Sequence, residues 1–159
     1  MKSQLMYTTN PFDPNMIDPI SNFKRRLKPT GGMWTCDMEV DDGKVTTEWA
    51  SFVVEELPSS YRHKLDNCTK FIPKKGLKIL NLVSVYDVEK YLYLPPNYEY
   101  HKLIDWEALA REYDGVHVEM GRYDNDIEYM VGGWDISSTL WLRPDWYESY
   151  SVIYRTEVE

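Results

Sequence analysis

The apolar segments of this chain are short, and turn residues separate them along its whole length. Several have the alternation or the β-branched and aromatic content of strands. Short helices are expected between some of them, but strands and helices do not alternate regularly. This pattern predicts an α+β fold. The strand-like segments are residues 4–9, 33–36, 77–83, 115–120, 127–131, 139–142 and 150–158.

Three polar positions are placed to begin short helices. Thr46 or Thr47 precedes apolar residues at helical spacing, and Pro58 follows where that helix should end. Ser84 precedes a second such segment, and Asp105 precedes a third. We therefore expect helices to flank the strands rather than to form a bundle.

The composition is that of a globular chain with one sizeable core. Its 159 residues are 43% hydrophobic and 14% aromatic, which is more apolar surface than a disordered chain carries. No internal repeat or linker interrupts the sequence. We expect a single domain over residues 1–159.

The charge balance disfavours general binding to nucleic acids. Eighteen basic residues against 26 acidic ones give a net charge of −8, which repels phosphate backbones. Lys24–Arg26 and Lys28 nevertheless form a local basic cluster. Such a cluster is either a solvated face or, in a nucleic-acid-modifying enzyme, a phosphate contact.

A cytoplasmic location without membrane contact is expected. No apolar run approaches the roughly 20 residues of a membrane-spanning helix, and the first residues lack the apolar core of a secretory signal. Cys36 and Cys68 alone make neither a disulfide framework nor a metal site. His63, His101 and His117 are scattered, so no metal cofactor is expected.

Two segments are richer in chemical groups. In Gly31–Cys36, paired glycines permit close backbone approach and Trp34 can stack on a planar ring, although a turn leading to a core tryptophan has the same pattern. In the second, residues 125–142, Glu128 lies on an expected strand, either on its solvent face or in a cleft. Asp135 and Ser138 favour a hydrogen-bonded turn.

These segments resemble, in order, motifs of the ADP-ribosyltransferase superfamily. Residues 5–9 look like its first strand, and residues 32–36 look like its second motif. Residues 113–118 and 125–131 look like its closing hairpin, whose Glu-Tyr-Val-Val strand carries the catalytic glutamate. The resemblance implies a pair of packed small antiparallel sheets with short flanking helices. It also implies NAD as the substrate and transfer of ADP-ribose to an acceptor, a protein rather than a nucleic acid.

The resemblance also assigns roles to particular residues. Glu128 would be catalytic, and the cofactor-binding residues would be Tyr7, Thr8, Gly32, Trp34 and Thr35. Trp34 would lie against nicotinamide, and the backbone of Thr8 or Gly32 would hold the carboxamide or a ribose. His117 and Asp135 would be lesser candidates for orienting the acceptor. Tyr7, Trp34 and Glu128 are expected in one cleft.

The sequence departs from that superfamily and has an alternative interpretation. Tyr7 replaces the usual His or Arg, and no Glu-x-Glu pair is present, which argues against an arginine-specific transferase. The Lys28–Thr35 and Trp134–Trp141 segments resemble a group of small bacterial and phage proteins without a settled activity. The alternative is therefore a non-catalytic acidic interaction protein, for example a phage-encoded inhibitor of a host protein.

Overall fold

A computed structural model describes residues 1–23, 27–41 and 44–153. The basic residues 24–26 and the end of the last expected strand, residues 154–158, lie outside these ranges. Within them, the strands are β1 Gln4–Thr8, β2 Met33–Asp37, β3 Glu39–Asp41, β4 Lys44–Thr46, β5 Asn67–Pro73, β6 Ile79–Asn81, β7 Leu92–Tyr93, β8 Leu103–Ile104, β9 Gly115–Val118, β10 Ser138–Trp141 and β11 Tyr147–Ile153.

The helices are short, and local side chains begin two of the three α-helices. They are α1 Glu48–Glu55, α2 Trp106–Glu112 and α3 Glu128–Val131. Thr47 accepts a hydrogen bond from the backbone of α1, and Asp105 does the same for α2, as the sequence predicts. Ser84 begins a short 3₁₀ helix through a capping box, at the position where the sequence predicts a short helix. The 3₁₀ helices are residues 14–16, 59–65, 85–87, 89–91 and 125–127.

Seven strands form the main sheet, in the order β11-β5-β1-β2-β10-β9-β6. Strands β6 and β9 are parallel, and the other neighbours are antiparallel. Two further sheets contain β3 with β4 and β7 with β8. The expected α+β class is confirmed. In the described ranges, no helix has the length and apolar character needed to span a bilayer.

The largest core cluster lies between the sheet and the two C-terminal helices. Trp106 and Leu109 of α2, together with Met130 and Val131 of α3, pack with buried residues of β6, β9 and β10. A second cluster contains Phe71 with Trp141 and Trp146, whose rings stack at 3.8 Å.

A buried hydrogen-bond chain connects the central strands. The Thr35 hydroxyl donates to Gln4 Oε1 at 2.7 Å and accepts from Trp141 Nε1 at 2.7 Å. Gln4 Nε2 in turn donates to Asp37. Because Gln4, Thr35 and Trp141 are 2% exposed or less, water cannot replace these bonds. This series of buried hydrogen bonds therefore fixes β1, β2 and β10 relative to one another.

The prediction of a strand over residues 127–131 is wrong. Residues 125–127 form a 3₁₀ helix that continues into α3, so the expected closing hairpin after β9 is absent. Ile127, Met130, Val131 and Trp134 are buried and Glu128 is exposed, which is helical spacing. A short apolar run of this length fits the period of a strand as well as that of a helix, and packing against the sheet selects the helix.

The valine variant of Thr35 tests the buried chain. Thr35→Val keeps the shape of the side chain but leaves Gln4 Oε1 and Trp141 Nε1 without a partner. Each orphaned group costs about 1–3 kcal/mol, so the free energy of unfolding should fall by about 2–4 kcal/mol. Urea unfolding measures this loss. Thr46→Val, at a half-buried threonine without a side-chain hydrogen bond to the described residues, is the control, and an equal loss in both variants would contradict the account.

Candidate functional site

The pairing between β1 and β2 stops halfway along the two strands. Gln4 pairs with Asp37 and Leu5 with Cys36, and the ladder ends there. Beyond this point β1 continues beside β5 as far as Thr8, whereas Met33–Thr35 of β2 pair with β10. The two central strands therefore separate. We call the space between residues 6–8 and residues 33–34 the interstrand cleft.

Two cavities meet at the interstrand cleft and share Met6, Tyr7 and Trp34. The first, the tryptophan cavity, has a volume of about 260 Å³. The second, the outer cavity, has a volume of about 430 Å³ and extends beneath the loop of residues 9–17. Small-molecule sites typically have volumes of about 300–1,000 Å³, so the two cavities together are large enough for a small ligand.

Five of the six residues assigned from the sequence lie at this cleft. Tyr7, Thr8, Gly32 and Trp34 line the outer cavity, and Tyr7, Trp34 and Thr35 line the tryptophan cavity. The sixth, Glu128, is exposed at the start of α3 and lines neither cavity. The expectation that Tyr7, Trp34 and Glu128 share one cleft is therefore wrong for Glu128. The cause is the helix that replaces the expected strand.

Lys28 and two tryptophans form one wall of the tryptophan cavity. The rings of Trp34 and Trp134 meet edge to face, with centroids 4.7 Å apart. Lys28 Nζ lies 4.8 Å from the centroid of Trp34 and 5.6 Å from that of Trp134. Both distances are in the range of cation–π attraction. One face of Trp34 is thus covered by an ammonium group, which changes the expected stacking of this ring on a ligand.

Three residues expected to bind the ligand each have a polar group that is occupied by a neighbour within the chain. The Thr35 hydroxyl belongs to the buried chain described above. The backbone N–H of Gly32 donates to Asp18 O at 2.9 Å, and the Thr8 hydroxyl donates to Asn10 O. Gly32 has φ +70°, and a Cβ there would lie 2.7 Å from Trp141 O, so its glycine is required by the fold. These residues shape the cleft, but these three groups are not free donors.

Asp135 lies at the tryptophan cavity instead of closing a turn. The sequence predicts that its carboxylate accepts hydrogen bonds from the backbone or from Ser138. In the described residues Asp135 accepts none, while Ser138 Oγ donates to Ile136 O. Asp135 is exposed and lines the cavity beside Trp134. It is therefore available to a ligand.

The sequence does not single out Lys28, Trp49 or Trp134 for NAD binding, and it makes Asp135 only a lesser candidate for orienting the acceptor. Lys28 is part of the basic cluster, Trp49 fits the apolar face of α1, and Trp134 and Asp135 fit a turn. All four line the tryptophan cavity. The paired glycines at 132–133, which resemble those at 31–32, are the one signal that could have drawn attention to them.

On the other side of the cleft, burial suppresses the ionisation of two thiols and one tyrosine hydroxyl. Burial raises the pKa of Cys36 from 9.0 to about 12 and that of Cys68 from 9.0 to about 11. Burial also raises the pKa of Tyr7, whose hydroxyl lies beside the side chains of Thr47 and Cys68. A buried thiol with a raised pKa is a poor nucleophile. These groups therefore line the cleft as neutral side chains.

A further cavity, of about 250 Å³ and polar, contains His117. It is lined also by Asp37, Glu39, Glu48 and Glu119, and His117 Nδ1 lies 2.9 Å from the Thr139 hydroxyl. Among the described residues, no three His, Cys, Asp or Glu side chains are placed to hold a metal ion.

Comparison of the chain with protein-family models, with curated proteins and with solved structures gives no match.

The raised thiol pKa values predict a loss of stability at high pH. A thiol that stays protonated in the folded state but ionises near pH 9 when unfolded stabilises the fold fully below pH 9. This contribution is lost as the pH rises from 9 towards 11–12. At pH 10 each thiol should lower the free energy of unfolding by about 1 kcal/mol relative to pH 7.5. Urea unfolding at both pH values measures the loss, and Cys36→Ala should reduce it. The same pH-dependent loss in Cys36→Ala would contradict the assignment.

Proposed function

We propose that this protein binds NAD in the interstrand cleft and cleaves its bond to nicotinamide, which is the activity that the resemblance implies. The observation that carries the proposal is the separation of β1 from β2 beyond Leu5 and Cys36. It opens a cleft at the five residues that the sequence assigned to NAD independently of the structure.

The chemistry of the tryptophan cavity fits the parts of a dinucleotide. Tyr7 and Trp49 offer aromatic surface for planar rings. Lys28 offers positive charge, and Asp135 offers a carboxylate that can accept hydrogen bonds from ribose hydroxyls. The adjoining outer cavity gives room for the second half of the molecule.

Asp135 replaces Glu128 as the proposed catalytic carboxylate. Departure of nicotinamide leaves positive charge on the ribose, and a carboxylate close to that ribose stabilises the developing charge more than the ground state. Asp135 lines the cavity, whereas Glu128 does not. A protein acceptor of ADP-ribose would approach from the exposed side of Asp135.

Nicotinamide release by three carboxylate variants tests this assignment. Asp135→Asn should lower the rate of release by about 10²–10³-fold, or about 3–4 kcal/mol, with a smaller change in NAD affinity. Glu128→Gln tests the expectation from the sequence, and Asp145→Asn, at an exposed aspartate outside both cavities, is the control. A larger loss in Glu128→Gln than in Asp135→Asn would return the catalytic role to Glu128.

Thermal unfolding with NAD tests binding separately from chemistry. At a concentration of one hundred times Kd, a ligand that binds only the folded state stabilises it by about 2.7 kcal/mol. For a chain of this length, Tm should rise by about 5–10 °C. No shift, together with no nicotinamide release by the wild type, would refute the proposal.

The second candidate function is protein recognition without catalysis, and a partly exposed aromatic cluster favours it. Tyr98 and Tyr129 each contact the half-buried His101, and Tyr100 packs on Tyr98 although it is 86% exposed. Exposed tyrosines are frequent in protein interfaces. This function predicts that NAD leaves Tm unchanged, so the thermal measurement distinguishes the two candidates.

A further inference from the structure

The side chain of Lys28 crosses the backbone of Gly133. A Cβ added to Gly133 would lie 2.5 Å from Lys28 Cε, 3.0 Å from Cδ and 3.1 Å from Cγ. Gly133 does not have a positive φ, so a side chain there would displace the Lys28 stem and not strain the backbone. The stem of Lys28 is therefore laid against this glycine, and its ammonium reaches the tryptophan cavity.

The Lys28 ammonium has aromatic neighbours but no direct anionic partner in the described ranges. Trp34 and Trp134 hold it by cation–π attraction, as described above. No carboxylate of those ranges lies within 4.0 Å of Nζ, and Lys28 makes no hydrogen bond there. Burial lowers the pKa of Lys28, and the negative charge of Asp135 partly opposes this effect. A partly buried cation without a paired anion is unfavourable, so an anionic ligand would stabilise it.

We propose that Lys28 binds the phosphate of a nucleoside diphosphate in the tryptophan cavity, with Gly133 and the two tryptophans holding its ammonium in place. The proposal rests on the proposed function only in placing a nucleotide in the interstrand cleft. Lysine is a common phosphate ligand and acts as a point charge. Aromatic surface for a base and a carboxylate for a ribose lie in the same cavity, which favours a nucleotide over free phosphate.

The same phosphate chemistry is found in single-stranded nucleic acids, but the observations favour the small nucleotide. The chain carries a net charge of −8, and Lys28 is partly buried in a cavity of about 260 Å³. A phosphate backbone needs an extended positive groove. Binding of an oligonucleotide is therefore an outcome of the test and not the proposal.

Calorimetric titration of ADP, adenosine and inorganic phosphate into the wild type and Lys28→Met tests the proposal. Methionine keeps an apolar stem over Gly133 but removes the charge. ADP should bind the wild type about tenfold to a hundredfold more tightly than adenosine. Lys28→Met should lose that advantage while its affinity for adenosine changes less than about threefold. Inorganic phosphate should bind much more weakly than ADP.

Two further variants separate the role of Lys28 from general effects of charge and stability. Lys78→Met removes an exposed lysine whose Nζ lies 4.5 Å from the ring centroid of Tyr113, outside the cleft, and should leave ADP affinity unchanged. Gly133→Ala keeps the charge but displaces the Lys28 stem, and it should weaken ADP selectively. Thermal unfolding without ligand confirms that each variant is folded.

Several results would overturn the proposal. These are equal affinities of the wild type for ADP and adenosine, an equal loss of ADP affinity in Lys28→Met and Lys78→Met, or Lys28-dependent binding of a short single-stranded oligonucleotide but not of ADP. The test of this inference can fail independently of the test of the proposed function. Lys28-dependent ADP binding without nicotinamide release would refute only NAD cleavage. Nicotinamide release with ADP binding that is independent of Lys28 would refute only this inference.

Discussion

The hydroxyl of Thr35 lies where β1, β2 and β10 meet, and its two hydrogen bonds connect these three strands. On one side of this point β2 pairs with β1, and on the other side it pairs with β10. A sheet in which every strand kept its neighbours would have no opening between its central strands. The change of partner along β2 creates the opening, and the buried bonds of Thr35 keep it in one place.

The position of the opening decides which side chains meet. Residues of β1 and β2 form its two sides, while the loop before β2 and the segment before β10 bring Lys28 and Trp134 to it. Helix α1 adds Trp49. Aromatic rings, an ammonium and a carboxylate therefore share one small volume although they come from distant parts of the sequence.

The features predictable from sequence are those that depend on neighbours within a few residues. Thr47 and Asp105 begin their helices because a side-chain oxygen meets the backbone N–H three residues later, and this spacing is visible in the sequence. The strands β1 and β2 can also be predicted from residues that are close together in the sequence. The class of the fold follows from the shortness of these elements.

The predictions that failed concern features that depend on contacts between segments far apart in the sequence. Residues 127–131 form a helix because packing against the sheet selects one of two periods that the run permits. This places Glu128 on the surface. The roles of Lys28 and Asp135 depend on the meeting of segments more than 100 residues apart. Strand β5, which lies between β1 and β11, was not predicted at all.

The indole N–H signals of the tryptophans test most directly whether the interstrand cleft is the NAD site. Trp34, Trp49 and Trp134 line the tryptophan cavity, whereas Trp146 is buried in the core and lines neither cavity. In a ¹H–¹⁵N NMR titration with NAD, the first three indole signals should shift and that of Trp146 should stay nearly in place. Unchanged signals for the three cavity tryptophans at saturating NAD would contradict the account.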